Sequence, residues 1–323
     1  MKIFPTYNEI VTHTKTLVTG QDEAVERIAL VMFKHLVKNH ARVSYNLNLK
    51  EVNNALVMGG TGSGKTFIIK TICEYVGLPM LVIDGTNLNA GEGWSGTNCK
   101  KRIDNYLSEN THALKGMSVI FIDEFDKTAS NRNSCSSGDI NFLTQSNILT
   151  LLEDTKVGKN DEYSTNNFLF FLAGAFEGIE PKKENSIGFT ENKKGSTEEL
   201  ENLLLNYGVI PELLGRLTHL IKLKDLTRED LKGILVNKNS SNNKWVELLK
   251  GFGLKLQDSV VDRVVEKAFF EKRGARSLIK SYNEEIDKEL INNKDNLNIE
   301  TLENLINDKN NNGDASININ RVR

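Results

Sequence analysis

The sequence predicts an α/β fold built on a parallel sheet, followed by a smaller and mainly helical domain. Three observations indicate this: short apolar runs alternate with amphipathic stretches, a glycine-rich loop joins the first run to a helical stretch, and the alternation stops near Asp225. Strands that alternate with helices favour a parallel sheet with right-handed crossovers. We therefore expect a large α/β domain over residues 1–225 and a small helical domain over residues 226–323.

Five apolar runs are the candidate strands of the sheet. An unbroken apolar run is typical of a strand that is buried on both faces, as the strands of a parallel sheet are. The runs cover residues 55–58, 80–83, 119–122, 168–172 and 220–223.

The first run leads directly into a loop that matches the phosphate-binding P-loop pattern in full. In such a loop the backbone N–H groups point at the phosphates, the lysine faces the β and γ phosphates, and the threonine hydroxyl holds Mg²⁺. A glycine turn without a ligand is the alternative, but the helical stretch from Lys65 to Gly77 supplies the expected context. The predicted ligands are therefore ATP and Mg²⁺. The loop consists of Gly59, Gly60, Thr61, Gly62, Ser63, Gly64, Lys65 and Thr66.

Two adjacent acids, Asp123 and Glu124, follow the third candidate strand. Because the carboxyl ends of parallel strands meet at the ligand edge of a sheet, both acids are expected beside the P-loop. There Asp123 would orient Mg²⁺ and its water, and Glu124 would polarise the water that attacks the γ-phosphate. Adjacent acids alone usually mark only a solvated strand end. Together with the P-loop they predict an enzyme that hydrolyses ATP.

The region after Asp225 is predicted to be helical to about Leu290. Thr227 is a candidate helix cap, with Asp230 at the third following position. Two apolar stripes at helical spacing, separated by Gly274, are interpreted as core. Their members are Val260, Val261, Val264, Val265, Ala268, Phe269, Leu278, Ile279, Tyr282 and Ile286. Residues 292–312 are interpreted as polar surface, and residues 317–319 as a short terminal strand.

Composition narrows the class of protein. A formal net charge of −2 disfavours a surface that coats nucleic acid. The three cysteines, Cys73, Cys99 and Cys135, have no CxxC spacing, so neither a disulfide framework nor a cysteine zinc site is expected. Because no apolar run has the length of a signal peptide or a membrane span, we expect a cytoplasmic protein without a membrane partner.

Several segments, in one order along the chain, resemble the AAA+ unfoldase family ClpX, the ATPase partners of the ClpP peptidase. The resemblance extends from about Val18 to Leu290. It is carried by residues 18–21, 59–66, 122–127, 174–176, 187–189, 210–217 and 274–277. The resemblance implies an AAA+ P-loop ATPase domain, a small lid domain, a homo-hexameric ring and polypeptide substrates.

The resemblance also assigns roles around the nucleotide. It places the arginine finger, which reaches the γ-phosphate bound by the neighbouring subunit, at Arg216. It places the sensor-2 arginine, which touches the nucleotide, at Arg276. Val18 and Ile234 match positions that pack on adenine, although each could equally be core.

Two further segments carry roles that the resemblance implies for partners. Gly93, Trp94, Ser95 and Gly96 match the substrate-gripping pore loop, with Trp94 as the aromatic residue that pulls polypeptide; a core anchor is the alternative. The tripeptide of Ile187, Gly188 and Phe189 matches the loop that binds the peptidase, with a buried loop anchor as its alternative.

The chain also departs from the family pattern. The N-terminal zinc module has no expected counterpart, and residues 154–163 are shorter than the second pore loop and lack its Arg-Lys-His segment. Recognition of the usual degradation tag is therefore in doubt. A ring that remodels one dedicated partner without a peptidase is the alternative function. The related unfoldase HslU is disfavoured because no large insertion follows Asp123.

Overall fold

The computed structural model describes residues 4–49, 52–88, 99–129, 137–179, 197–240, 246 and 258–292. Contacts between residues divide the chain into two compact units, Met1–Asp225 and Leu226–Arg323. None of the helices within the described ranges combines the length and the apolar character that crossing a bilayer requires.

The first unit begins with two helices. Helix α1 (Tyr7–Leu17) is capped by a reciprocal pair, in which Thr6 Oγ1 accepts from the Glu9 N–H and the Glu9 carboxylate accepts from the Thr6 N–H. Helix α2 (Asp22–Tyr45) is followed by the C-cap residue Asn46, whose φ of 53° is the left-handed conformation that terminates a helix.

The centre of the first unit is a five-stranded sheet in the order β2-β3-β6-β1-β7, with every neighbouring pair parallel. The predicted α/β class with a parallel sheet is confirmed. The strand β6 begins one residue later than predicted and continues to Gly174. The strands are β1 (Ala55–Met58), β2 (Met80–Asp84), β3 (Val119–Asp123), β4 (Lys156–Val157), β5 (Tyr163–Ser164), β6 (Leu169–Gly174) and β7 (His219–Lys222).

Within its described residues, this unit has six further α-helices. They are α3 (Lys65–Val76), α4 (Cys99–Glu109), α5 (Asp126–Ala129), α6 (Ser137–Leu152), α7 (Thr197–Tyr207) and α8 (Pro211–Leu214). As the sequence predicts, α3 ends at Gly77, which has a φ of 68° and donates its N–H to the last turn.

Both faces of the sheet are buried. Along β1, Ala55 and Val57 belong to one core, which is shared with α1, α2 and α3. Leu56 and Met58 point to the other core, which contains residues of α4, α6 and α7. This alternation explains the unbroken apolar runs, because every side chain of the strand faces an apolar layer.

The strands β4 and β5 form a small antiparallel hairpin. From the sequence this segment is expected to be only a short loop, whereas the structure shows a hairpin. Its turn uses positive φ angles at Gly158 (97°) and Asp161 (53°). The Gly158 N–H donates to Asp104 Oδ1 at 2.7 Å, which ties the hairpin to α4.

The second unit contains α9 (Arg228–Val236), α10 (Asp258–Glu271) and α11 (Gly274–Asn292). Helix α9 begins with the predicted cap, because Thr227 and Asp230 exchange side-chain and backbone hydrogen bonds. The helices enclose an apolar core. Its buried members are Leu231, Leu235, Val246, Val264, Val265, Ala268, Leu278, Tyr282 and Ile286.

One predicted core residue of the second unit is wrong. Ile279 is 37% exposed, whereas its neighbour Leu278 is fully buried. Successive helical residues are about 100° apart around the axis, and here Leu278 takes the core-facing position, which leaves Ile279 turned toward solvent. The break at Gly274 is confirmed: α10 ends at Glu271, and Gly274 has a φ of 60°. The predicted strand at 317–319 lies outside the described residues.

Candidate active site

The P-loop lies between the carboxyl end of β1 and the start of α3 and has little room for side chains. A Cβ on Gly59 would lie 2.9 Å from both Leu223 Cβ and Ser63 Oγ. Gly62 and Gly64 have φ angles of 77° and 106°. Glycine adopts such angles at little cost, whereas other residues are strained by them. Gly59 is thus required by packing, and Gly62 and Gly64 are required by backbone conformation.

The start of α3 is suited to an anion. Gly64 is the N-cap residue, and no side-chain hydrogen bond caps the helix. The first-turn N–H groups and the dipole of this twelve-residue helix favour a phosphate at this end. The Lys65 ammonium donates to Gly59 O at 2.6 Å and to Gly60 O at 3.2 Å, so its positive charge lies on the same loop.

The P-loop helix and the third strand meet at two polar side chains. Thr66 Oγ1 donates a hydrogen bond to Asp123 Oδ2, with 3.2 Å between the two atoms. Both residues are half-buried. Hydroxyl and carboxylate oxygens are the ligands that Mg²⁺ prefers, and this ion usually takes only one or two of them from the protein. The pair fits a magnesium site beside the phosphates.

Glu124 extends from the same strand end in an unusual conformation. Its φ is 53°, which is rare for a residue with a Cβ and turns the backbone immediately after β3. The Asp123 Oδ1 atom accepts the Glu124 N–H at 2.9 Å. The Glu124 carboxylate is exposed, whereas Phe125 is fully buried and donates its N–H to Ala173 O at 2.8 Å. The turn therefore presents one carboxylate at the ligand edge while the next residue anchors it.

Two glycines let neighbouring segments approach this strand end. A Cβ on Gly85 would lie 2.8 Å from Asp123 O, and a Cβ on Gly174 would lie 2.7 Å from Asp126 Oδ1. Gly174 O also accepts the N–H of Gly59 at 3.2 Å. Gly174 belongs to the 174–176 segment of the family resemblance, whereas Gly85 stands in no motif, so sequence reasoning missed the role of Gly85. The acids and the P-loop are thus held by close backbone contacts.

A second group of polar residues lies at the ends of α6 and α8. Arg216 Nη2 forms an ion pair with Glu153 Oε1 at 2.8 Å, and each side chain is almost half exposed. The flanking Leu214 and Leu217 are buried, so the backbone is anchored while the guanidinium reaches the surface. No motif marks Glu153, and sequence reasoning did not find this partner.

Comparison with known proteins identifies the family. The family model described as AAA domain (Cdc48 subfamily) matches residues 50–220. The ATP-dependent Clp protease ATP-binding subunit ClpX of Bacteroides thetaiotaomicron is 30% identical over 310 residues, which cover 86% of this chain and 75% of that protein. The chain belongs to the ClpX family. The corresponding ClpX subunits of Porphyromonas gingivalis (29% over 302 residues, 84% and 73% covered) and Treponema denticola (28% over 307 residues, 85% and 74% covered) are similar to it as well.

Membership of the ClpX family, together with the AAA domain, makes this chain a nucleotide-binding protein and an ATPase with the AAA+ P-loop fold. The first unit holds residues 1–225 of the 323. A likeness over 86% of the chain therefore cannot end with the first unit and must continue into the second.

The remaining residues that the ClpX resemblance singles out are distributed over both units. Val18 is a buried member of the core that α1, α2 and α3 share. Ile234 packs at the edge of the second unit's core, and Arg276 is exposed in the first turn of α11. The assignments of the two apolar residues to adenine and of Arg276 to the nucleotide stay predictions.

The predicted partner-binding segments fall outside the part of the chain that the structure describes. These are the pore segment of Gly93, Trp94, Ser95 and Gly96, and the peptidase-binding segment of Ile187, Gly188 and Phe189. Their assignments stay predictions that depend on the ClpX resemblance.

Proposed function

We propose that this chain is an ATP-driven protein unfoldase and translocase that acts as a hexameric ring and delivers polypeptide to a ClpP peptidase. The observation that carries the proposal is the likeness to ClpX subunits over 86% of the chain, beyond the nucleotide-binding unit. Its relatives are named ATP-binding subunits of the Clp protease. We also propose that the protein acts in the cytoplasm.

Hydrolysis is assigned to the side chains at the edge of the sheet. The P-loop N–H groups and Lys65 bind the phosphates, and Thr66 with Asp123 would hold Mg²⁺, which neutralises charge on the β and γ phosphates when bound. Glu124 accepts the proton of the attacking water, because its carboxylate is exposed beside the Thr66–Asp123 pair. These roles make Lys65 a binding residue and Glu124 the general base.

Arg216 is assigned to link neighbouring subunits, and Arg276 is assigned to link the second unit to the bound nucleotide. A fixed cation is needed where charge builds up on the transferring phosphoryl oxygens, and a planar guanidinium suits that role. Arg216 is surface-exposed on an anchored backbone, as a residue that reaches a neighbouring subunit must be. Arg276, from the second unit, is assigned to the nucleotide as the sensor. ATP turnover would thereby depend on assembly of the ring.

Mechanical work is assigned to Trp94. A large aromatic ring gives apolar contact area to any polypeptide whatever its sequence. We expect Trp94→Ala to retain most ATPase activity while the unfolding of substrate collapses. If thermal stability and ATPase activity fall together, Trp94 is a core anchor.

The experiment that tests the proposal is substrate capture with a trapped ring. Glu124→Gln protein is expected to bind ATP without rapid turnover and so to retain polypeptides in the pore, which mass spectrometry of a pull-down from cells identifies. Lys65→Ala protein, which cannot bind ATP, is the matched control and should retain none of them. A captured protein is then purified and its ATP-dependent unfolding by the unaltered chain is measured.

The outcome also separates the proposal from its alternative. Many unrelated captured proteins that are unfolded globally support a general unfoldase. A single captured protein that changes its assembly state but not its fold supports a dedicated remodeller. The absence of any ATP-dependent capture contradicts both functions.

A further inference from the structure

One buried glutamine joins the P-loop to the end of the sheet. Gln21 is the N-cap residue of α2, is 3% exposed, and makes no side-chain cap bond to its own helix. Its Nε2 donates to Lys224 O at 2.7 Å and to Ser63 O at 3.3 Å. Its Oε1 accepts the Lys224 N–H at 3.0 Å. A single amide therefore satisfies three backbone groups from two distant segments.

These segments are close to the nucleotide-binding loop by packing as well. Ser63 is 6% exposed, and a Cβ on Gly59 would touch both Ser63 Oγ and Leu223 Cβ. Lys224 follows Leu223 directly and is the next-to-last residue of the first unit. The loop thus lies against the segment that leaves β7, and Gln21 bonds to both.

The bond to Ser63 O has a consequence for the next N–H. The Ser63 carbonyl and the Gly64 N–H belong to one trans peptide plane, in which they point in opposite directions. A carbonyl that is turned toward Gln21 therefore turns the Gly64 N–H to the opposite side of the loop. Because Gly64 has a φ of 106° and no Cβ, its own conformation resists rotation of this plane only weakly.

We infer that Gln21 is a positioning residue for the nucleotide, which fixes the Ser63–Gly64 peptide so that the loop presents its N–H groups to the phosphates. The inference depends on the nucleotide-binding role of the P-loop and on no other part of the proposed function. Without the amide, the peptide between the two positive-φ glycines at 62 and 64 loses its external hydrogen bond. Part of the binding energy is then spent on ordering the loop.

The chain offers a matched control in a second buried glutamine. Gln145 is 1% exposed, and its Nε2 donates to Thr128 O at 3.1 Å and to Gly208 O at 2.9 Å. Its Oε1 accepts the Ile210 N–H at 3.0 Å. The number and kind of bonds equal those of Gln21, but none of the partners belongs to the P-loop. Replacing either glutamine removes the same chemistry from a buried place.

The test compares Gln21→Met with Gln145→Met in the full chain. Both are expected to lower the midpoint of thermal unfolding by similar amounts, because each leaves three backbone groups without a partner, one of them in a buried bond and two in part-buried bonds. Only Gln21→Met should weaken ADP binding, by about tenfold or more, as measured by calorimetry. Its KM for ATP should rise while kcat at saturating ATP stays within about twofold. Unchanged ADP affinity in Gln21→Met, or an equal loss in Gln145→Met, would overturn the inference.

A second variant covers the case in which Gln21→Met does not fold. Gln21→Glu keeps the shape of the side chain. Its protonated carboxyl group can still accept the Lys224 N–H and donate to one of the two carbonyl oxygens. Its carboxylate form has no proton to donate and faces both carbonyl oxygens. The ADP affinity of Gln21→Glu, divided by that of the unaltered protein at the same pH, should therefore be lower at pH 8 than at pH 6. The charged side chains next to Gln21 and its partners along the chain are the same in both proteins: Asp22, Glu23, Lys65, Lys224 and Asp225. Equal ADP affinity of the two proteins at pH 8 overturns the inference.

This design also separates the inference from the proposed function. ADP binding requires neither a ring, a peptidase nor a polypeptide, so a failure to unfold proteins leaves the Gln21 result intact. If Lys65→Ala binds ADP as tightly as the unaltered chain, the P-loop assignment itself fails, and the role of Gln21 fails with it.

Discussion

Thr66 and Asp123 are joined by a hydrogen bond of 3.2 Å between Oγ1 and Oδ2. The first side chain belongs to the first turn of α3, and the second ends β3. This contact brings the phosphate-binding helix and the acidic strand end to one edge of the sheet. It places Glu124, the next residue, beside the same edge, and the predictions for catalysis follow from this arrangement.

The first prediction separates nucleotide binding from hydrolysis. Lys65→Ala should lose ATP binding, because the loop loses its point charge. Glu124→Gln should bind ATP with little change and hydrolyse it about a hundredfold or more slowly, because only the proton acceptor is removed. Nucleotide binding and steady-state turnover are measured on both proteins. Undiminished turnover by Glu124→Gln would remove its role as the general base.

The second prediction tests whether Arg216 acts on the neighbouring subunit. Arg216→Ala alone should bind ATP normally and turn it over roughly a thousandfold more slowly. Lys65→Ala alone should be inactive but still carry Arg216. Rings that contain both variants should regain ATPase activity. In them an Arg216→Ala subunit supplies the nucleotide site, and a neighbouring Lys65→Ala subunit supplies the arginine. If mixing restores no activity while mixed rings form, Arg216 does not act in trans.

The same arginine gives a stability control. Its ion pair with Glu153 is almost half exposed on both sides, and such pairs contribute between zero and about 1 kcal/mol. Glu153→Gln should therefore leave the thermal midpoint nearly unchanged. A large loss of stability would mean that the pair holds the fold of α6 and α8.

The third prediction concerns the packing of Gly85 against the acidic strand end. A Cβ there would lie 2.8 Å from Asp123 O, so Gly85→Ala should lower stability by roughly 1–3 kcal/mol and disturb the Asp123 turn. Gly215→Ala is the control, because the nearest atoms to its Cβ would be Glu212 O and Pro211 O, each at an ordinary contact distance of 3.6 Å. Chemical denaturation of both proteins is compared. Equal stability of the two variants would contradict the close approach.

The fourth prediction is a loss of stability on mild acidification. His35 is buried, with Nε2 2.9 Å from Met117 O, and burial lowers its pKa from 6.5 to about 4, helped by the charges of Lys38 and Arg42. Between these pH values the unfolded chain binds a proton that the folded chain does not. Stability should therefore be full above about pH 6.5 and fall by roughly 3 kcal/mol toward pH 4.

Denaturant unfolding at pH 7.5 and at pH 5 measures this effect, with His35→Gln as the control. Glutamine does not titrate, so the stability of the His35→Gln protein should depend less on pH between pH 7.5 and pH 5. An identical pH dependence of the two proteins would show that His35 is not responsible.

The strands and the P-loop could be predicted from the sequence because their signals are local. The run from Ala55 to Met58 is apolar at every position, since both faces of β1 are buried. The glycines that follow are demanded by the backbone angles of a few adjacent residues. The C-cap at Gly77 and the cap of α9 by Thr227 and Asp230 are equally local.

The contacts that sequence reasoning missed join distant parts of the chain. Gln21 and Lys224 are 203 positions apart, and Glu153 and Arg216 are 63 positions apart. No periodicity or motif reports such pairs, because they depend on the order of strands in the sheet. The wrong prediction for Ile279 has a local origin. The apolar stripe predicted for this helix is one residue too wide, because Leu278 takes the core position and Ile279 is 37% exposed.

The most direct test of the central claim is degradation of a folded, captured substrate by this chain with its cognate ClpP. Degradation should require ATP, fail with Glu124→Gln, and fail with Phe189→Ala even though that variant keeps its ATPase activity and its ring. Each ring would offer six such loops, so one substitution acts six times over. The account predicts ATP-dependent proteolysis and co-sedimentation of ring and peptidase. If the unaltered chain neither binds ClpP nor stimulates it, the proposed delivery of polypeptide to a peptidase is contradicted.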